Sequence, residues 1–347
     1  MTNSPRRLDL RNGRVELSHG AGGRAMAQLI EQLFVRHFDN QWLAAQTDGA
    51  SLPLPGAAER IVMATDCHVV SPLFFPGGDI GSLAVHGTVN DVAMAGGRPQ
   101  WLSAGFILEE GFPLADLERI VVSMATAAQV AGVVIVTGDT KVVERGKCDG
   151  VFINTTGVGV AVPGVNLDPA NIRPGDAIIV SGTLGDHGMA IMSQRENLSF
   201  ETALRSDSAA LNGLVEAMLA AVPGVHALRD PTRGGLAAVL NEFARAAGCG
   251  MSVREAAIPL RPEVTAACEL LGLDPLYVAN EGKLVAVCAP ADAPRLLDAM
   301  RAHPLGRDAS LIGHALADER CFVEMETAFG GRRMIDWLSG EQLPRIC

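Results

Sequence analysis

Residues 101–137 read WLSAGFILEEGFPLADLERIVVSMATAAQVAGVVIVT. Within and just beyond this stretch, 120–138 carries no charge and is nearly long enough to cross a bilayer. Ser123, Thr126 and Gln129 interrupt it and Gly132 divides it. The passage therefore reads as a strand over 101–108, a buried helix over 114–131 with Pro113 suited to its first turn, and a core strand over 133–137. A β-α-β passage points to a soluble mixed fold rather than a membrane anchor.

The alternation continues in both directions. Met26, Leu29, Ile30, Leu33 and Phe34 recur at helical spacing and predict an amphipathic helix over 24–38. It follows a polar opening that ends Ser18-His19-Gly20-Ala21-Gly22-Gly23. Strands are expected at 61–65 and 151–162 and a helix at 80–94. A Pro/Asn/Gly/Asp-rich passage over 163–174 marks a domain boundary. Beyond it, strands are expected at 177–181, 225–228, 284–289 and 321–326, and helices at 209–221, 235–247, 262–271 and 293–302. There is no short repeat and no strict βαβ period, so two α+β domains are favoured over one doubly wound sheet. The expected division is a glycine-rich segment and helix (1–40), an N-terminal domain (41–162), a C-terminal domain (163–330) and a flexible tail (331–347). In that tail, Met334, Ile335 and Leu338 suit a short helical turn ended by Gly340. Fully extended, it reaches roughly 50–60 Å at about 3.3–3.6 Å per residue, enough to carry its last residue to a distant pocket.

With 347 residues, 48% of them hydrophobic and 19% charged, the chain can bury a large core and is neither disordered nor a coiled coil. Its net charge of −11 argues against nucleic-acid binding through a broad basic surface. The seven cysteines (67, 148, 249, 268, 288, 321 and 347) form no Cys-x-x-Cys pair, which excludes a zinc ribbon or a thioredoxin-type dithiol. An odd count suits free thiols in a reducing compartment. The first ten residues have no apolar stretch of the kind a secretory signal needs. A soluble cytoplasmic protein is expected.

The standard nucleotide loops are missing. Aspartates instead stand at expected strand ends beside Gly, Thr, Cys, Asn or Pro: Thr47-Asp48-Gly49, Thr65-Asp66-Cys67, Asn90-Asp91, Gly138-Asp139-Thr140 and Arg229-Asp230-Pro231. Taken singly, each reads as a turn cap. Taken as a set, they are the hard oxygen donors that hold Mg²⁺ against a polyphosphate, although spacing alone does not bring them together. Thr232 is a candidate helix cap after Asp230, and Arg233 is a fork-shaped phosphate donor. Ser181 to Gly188 is either a phosphate-approaching loop or a plain strand-to-helix turn. Lys141 is either a phosphoryl contact or a surface lysine. His19 is either a substrate contact or a loop-ordering hydrogen bond. Glu281, before an expected core strand, becomes a candidate general base if burial raises its pKa. Cys347 is a terminal thiol on a mobile segment, able to act as an acyl carrier.

Together these motifs, and above all the ending Pro344-Arg345-Ile346-Cys347, resemble the hydrogenase-maturation branch of the aminoimidazole ribonucleotide synthetase superfamily. The resemblance spans essentially the whole chain. It implies a two-domain PurM-like α+β fold, with an N-terminal mixed-sheet domain that pairs in a homodimer and a C-terminal α/β-layered domain. It implies ATP and Mg²⁺ as cofactors. Asp48, Asp66, Asn90, Asp91, Thr137, Gly138, Asp139, Asp230 and Arg233 would bind the nucleotide, with Asp48, Asp66, Asp91 and Asp230 toward the metal. Glu281 would be the base, Lys141 would orient the amide and Cys347 would be the covalent carrier. A carbamoyltransferase, HypF, would load Cys347, and a HypC–HypD iron-carrying complex would receive cyanide for the NiFe centre. Selenophosphate synthetase, the first alternative, carries its reactive Cys or selenocysteine near the N-terminal glycine loop, and 18–24 contains none. Aminoimidazole ribonucleotide synthetase itself needs no terminal thiol. A non-catalytic ATP-sensing scaffold would need neither Cys347 nor Glu281.

Overall fold

The computed structural model describes residues 8–20, 24–44, 60–196, 204–337 and 345–346. The expected helix over 24–38 is α1 (Arg24–Leu29) and α2 (Arg36–Phe38) joined by a π-helical stretch, Ile30–Val35. Its wide turns place Leu33 and Phe34 together in the core, where the Phe34 and Phe106 ring centroids lie 4.9 Å apart. A short α3 (Gln41–Ala44) follows.

The first sheet is four-stranded, in the order β1 (Ile61–His68), β6 (Val151–Ala161), β4 (Gly97–Glu109), β5 (Val134–Val143). β6 is antiparallel to both neighbours, and β4 and β5 are parallel, linked by α5 (Leu114–Ala131). A two-stranded hairpin, β2 (Phe74–Phe75) and β3 (Gly78–Asp79), leads into α4 (Ile80–Met94). That helix starts where it does because the Asp79 carboxylate accepts from the N–H groups of Gly81 (2.7 Å) and Ser82 (3.1 Å), while Ser82 Oγ accepts from Asp79 N. Both α4 and α5 cover one face of the sheet, over a core that includes Leu83, Val89, Leu102, Leu117 and Ile120. The other face is open at β1, where Ile61, Met63, Thr65 and Cys67 are exposed at alternate positions.

The second sheet has seven strands in the order β13-β12-β9-β11-β7-β10-β8. These are β7 (Ala177–Val180), β8 (Ala227–Arg229), β9 (Gly250–Arg254), β10 (Val285–Cys288), β11 (Ser310–Leu316), β12 (Val323–Glu326) and β13 (Arg332–Met334). Ile178, Val180, Val285 and Val287 pack with α8 (Gly235–Ala247) on one side. Ile179 and Ala286 pack with α7 (Asn212–Ala221) and α10 (Ala293–Ala302) on the other. Burial on both faces explains why β7 and β10 are unbroken apolar runs. The remaining helices are α6 (Asp186–Arg195) and α9 (Pro262–Leu271).

Two expectations are corrected. Residues 332–334 are an edge strand paired with β12, and Ile335 is buried behind it, so the helical turn expected around Met334 and Ile335 is absent. The start of the expected flexible tail is thus held by ladder hydrogen bonds. Among the described residues, no helix is long and apolar enough to cross a membrane.

Replacing Asp79 by Ala removes the cap of α4 and is expected to destabilise the protein by about 1 kcal/mol. A lower urea midpoint with unchanged slope would show this, and an unmoved midpoint would contradict the capping role.

Candidate active site

Asp66 lies near the end of β1 on its inner, helix-covered face, with His68, the last residue of the strand, two residues on. Its oxygen lies 3.8 Å from His68 Nε2, and that nitrogen lies 3.3 Å from Thr155 Oγ1. On α4 behind them stand Asn90 and Asp91. From the second domain come two loops: Asp230 to Arg233, between β8 and α8, and Asn280 to Gly282, just before β10. The charges of Asp66, Asp91, Asp230 and Glu281 act on one another, and Arg233 acts on Asp91 and His68. Four of the expected site residues on four separate segments therefore converge, with the Arg233 guanidinium beside them.

Two buried amides fix this arrangement. Asn280 donates from Nδ2 to the carbonyls of Pro231 (3.0 Å) and Val278 (2.9 Å) and accepts from Gly185 N (2.7 Å). It thereby ties the Glu281 loop to the Asp230 loop and to the turn before α6. Asn90 donates to the carbonyls of Ala209 (3.1 Å) and Glu281 (3.3 Å) and accepts from Leu211 N (2.7 Å). These bonds use every group of its side chain. Asn90 is therefore a brace under Glu281, and its Oδ1 keeps one lone pair for the nucleotide contact expected of it. Gly282 is required by close approach, since a Cβ there would stand 1.7 Å from the Asp207 carbonyl oxygen.

Glu281 is 3% exposed, and its Oε1 has no hydrogen-bond partner among the described residues. Burial pushes its pKa well above the usual carboxylate range, and the negative charges of Asp230, Asp207, Asp66 and Asp91 push it further. Asp91 is raised to about 7 by burial and by Asp230 and Asp66, against the pull of Arg229 and Arg233. Burial raises Asp230 to about 6. Burial lowers His68 and keeps it neutral, although Asp66 opposes the shift. The site is an excess of buried negative charge that invites a cation, beside a carboxyl suited to take up or release a proton.

The motif at 137–141 falls elsewhere. Across the sheet, Asp66 is in register with Thr155, Ala104 and Gly138, all on the inner face. Thr137, Asp139 and Lys141 alternate with Gly138 and so point to the opposite, open face. Three strand spacings, roughly 14 Å, separate β5 from β1. Within one chain, then, Lys141 is not brought to Glu281. Gly138 is explained by packing: a Cβ would come 2.2 Å from the Ala104 carbonyl oxygen.

Other expectations resolve locally. Gly234, not Thr232, caps α8. Ser181 to Gly188 is the strand-to-helix turn into α6, and its Gly185 N–H is taken by Asn280. His19 Nδ1 accepts from Glu16 N (2.9 Å), which makes it a loop-ordering contact. Asp48 and Cys347 lie outside the described residues. Asp207 was not foreseen: it accepts from Glu281 N (3.1 Å) and pairs with Lys283 (3.1 Å). Its surroundings, Arg205-Ser206-Asp207-Ser208, look like a polar lead-in to a helix and carry no local sign of this role. A groove of about 140 Å³ lined by Gly97, Arg98, Ala131, Asn212 and Leu219 lies apart from the carboxylates.

Comparison with known proteins matches this architecture. Residues 46–161 fit the N-terminal domain of AIR synthase related proteins, and 173–326 fit the C-terminal domain. The chain is 68% identical over 342 residues to the carbamoyl dehydratase HypE of Cupriavidus necator, covering 99% of this chain and 97% of that one. It is also 68% identical over 341 residues to HypE of Azotobacter vinelandii, covering 98% and 99%. A crystal structure of HypE in complex with ATP superposes with a TM-score of 0.92 at 51% identity, over 96% of this chain and 99% of that one. HypE from a HypE–HypF complex superposes with a TM-score of 0.79 at 48% identity, over 89% and 99%. The two-sheet architecture, the full-length identity and the match to both AIR synthase related domains place this chain in the HypE family of carbamoyl dehydratases.

Proposed function

We infer that this chain is an ATP-dependent carbamoyl dehydratase of hydrogenase maturation, converting an S-carbamoyl group on its terminal cysteine to a thiocyanate. The observation that carries the reading is the buried Glu281 carboxyl, left with an unpartnered oxygen inside a ring of aspartates. The carbamoyl oxygen is a poor leaving group. Transfer of a phosphoryl group from ATP to that oxygen, with loss of one N–H proton, gives an O-phosphorylated imidate and ADP. Removal of the second N–H proton and departure of phosphate give the nitrile. Glu281 would accept a nitrogen-bound proton. Its high pKa makes it a strong base once ionised, and its burial keeps water from competing.

Mg²⁺ fits the donor set. Asp66, Asp91 and Asp230 are hard oxygen donors, with Asp48 expected to join them. Among the described residues no three acidic, His or Cys side chains are grouped closely enough to hold a metal ion unaided. A cation held by these aspartates would have to complete its shell with phosphate and water. When bound, it would neutralise charge developing on the transferred phosphoryl group. Arg233 would add a second cation to the same end.

The homodimer is part of the proposal. Ile61, Met63 and Ile107 are 56%, 66% and 43% exposed on the open face of the first sheet, an apolar surface that a second copy would cover. If the two sheets meet on this face, β5 of one protomer comes beside β1 of its partner. Thr137, Asp139 and Lys141 would then serve the partner's carboxylate cluster, consistent with their position on the wrong face for their own. HypF would load Cys347, a HypC–HypD complex would take the cyanide, and the setting would be the cytoplasm.

Cys347→Ala is expected to keep ATP binding but to form neither carbamoylated nor cyanated protein, judged by intact mass with HypF, carbamoyl phosphate and ATP. Turnover by that variant would overturn the carrier role. Glu281→Gln is expected to accept the carbamoyl group but to lose water roughly 10²–10⁴-fold more slowly. Loss of water at the wild-type rate would reject the base assignment. Removing divalent cations with EDTA from carbamoylated protein is expected to stop dehydration and adding Mg²⁺ to restore it. Dehydration that continues in EDTA would remove the metal from the account.

A further inference from the structure

The chain end is seated by a buried histidine. Ile346 is 3% exposed and belongs to the core of the first domain. Its carbonyl oxygen lies 2.7 Å from Nε2 of His187, the second residue of α6, which is itself completely buried. His187 Nδ1 lies 2.8 Å from Ser206 Oγ, and the edge of one ring meets the face of the other where His187 packs on Phe75 at 5.6 Å. One residue back, the Arg345 carbonyl accepts from Ser71 N (3.2 Å) and from the Arg195 guanidinium, and the Arg345 side chain pairs with Asp149.

The proton positions in this chain of bonds are determined by chemistry. A carbonyl only accepts, so Nε2 must carry the hydrogen. Burial lowers the His187 pKa and keeps the ring neutral, so Nδ1 must accept, and the Ser206 hydroxyl must donate to it. Ser206 Oγ in turn accepts from Ser208 N at 3.0 Å. Between these two serines stands Asp207, which holds the Glu281 N–H and Lys283. Three consecutive residues thus attach both the chain end and the candidate base to one short segment.

We propose that His187, oriented by Ser206, is a positioning residue for the dehydration: it fixes the peptide unit that joins Ile346 to Cys347 and so sets the register of the carrier against Glu281. The proposal rests on Cys347 being the carrier. On this reading Cys347 is loaded away from this seat and dehydrated in it. The latch therefore acts on the second step and not on the first.

The test uses full-length protein carrying His187→Leu, His187→Gln or Ser206→Ala, loaded by HypF with carbamoyl phosphate and ATP. His187→Leu cannot donate to the Ile346 carbonyl, whereas the Gln amide retains a donor. His187→Leu and Ser206→Ala are expected to load at the wild-type rate or faster. Single-turnover loss of water, followed by intact mass, is expected to fall roughly tenfold, as for a buried carbonyl left without its donor. Carboxypeptidase should release the terminal residues faster from both, and His187→Gln should recover part of the dehydration rate. Ser206→Ala keeps the imidazole in place and carries the test if His187→Leu does not fold. Wild-type dehydration rates in the folded variants, or equal slowing of loading and dehydration, would overturn the proposal. Absence of a carbamoyl group on the terminal peptide of the wild-type protein would instead overturn the carrier reading on which it rests.

Discussion

Burying a carboxyl group among other carboxylates is unfavourable, and the structure around Glu281 is arranged to hold that condition in place. Asp66, Asp91, Asp207 and Asp230 all raise the free energy of its ionised form, on top of the desolvation of a side chain only 3% exposed. Lys283 compensates Asp207, and Arg229 and Arg233 partly compensate Asp91. Nothing among the described residues compensates Glu281 Oε1 by a hydrogen bond. On the proposed reading, a cation arriving at the aspartates would relieve this crowding and favour ionisation of Glu281, linking the candidate base to nucleotide loading.

The rest of the architecture keeps these charges from moving apart. Asn90 and Asn280 are buried with both amide hydrogens donated; Asn90 ties the first domain to the second through Ala209, Leu211 and Glu281, and Asn280 ties together three loops of the second. Their bonds are made to carbonyl and amide groups in loops, where secondary structure leaves backbone groups unpaired. Gly282 allows the 207–209 segment to approach within a distance that no side chain would tolerate. Asp66 and Asp91 thus stand on a strand and a helix, and Asp230 and Glu281 on loops that buried hydrogen bonds hold in place.

Much of this was legible from residue patterns, for identifiable reasons. The helices at 80–94, 114–131, 235–247, 262–271 and 293–302 match expectation end to end. Asp79 marks one start, and Gly132, Gly248 and Gly272 mark three ends in left-handed caps. β9 and β11 went unread because Gly250, Ser252, Gly313 and His314 break their apolar runs, and neighbouring strands supply their stability. α6 drew no helix expectation of its own because Gly188, Ser193 and Gln194 blur its period. Asp66, Asp91, Asp230 and Glu281 were recognisable as residues at turns and strand ends, but convergence belongs to tertiary structure. The side of the sheet that Lys141 faces depends on the irregular register between Leu102 and Ser103, which local pattern does not encode.

The central claim is that Glu281 is a protonated, charge-crowded carboxyl until cations reach the aspartates. Difference infrared spectroscopy of the full-length protein against Glu281→Gln, at neutral pH with and without Mg²⁺-ATP, tests it directly. The account predicts a protonated-carboxyl C=O band in the free protein that is missing from the variant and is lost when Mg²⁺-ATP is added. An ionised Glu281 in the free protein, or a band that Mg²⁺-ATP leaves untouched, would contradict it.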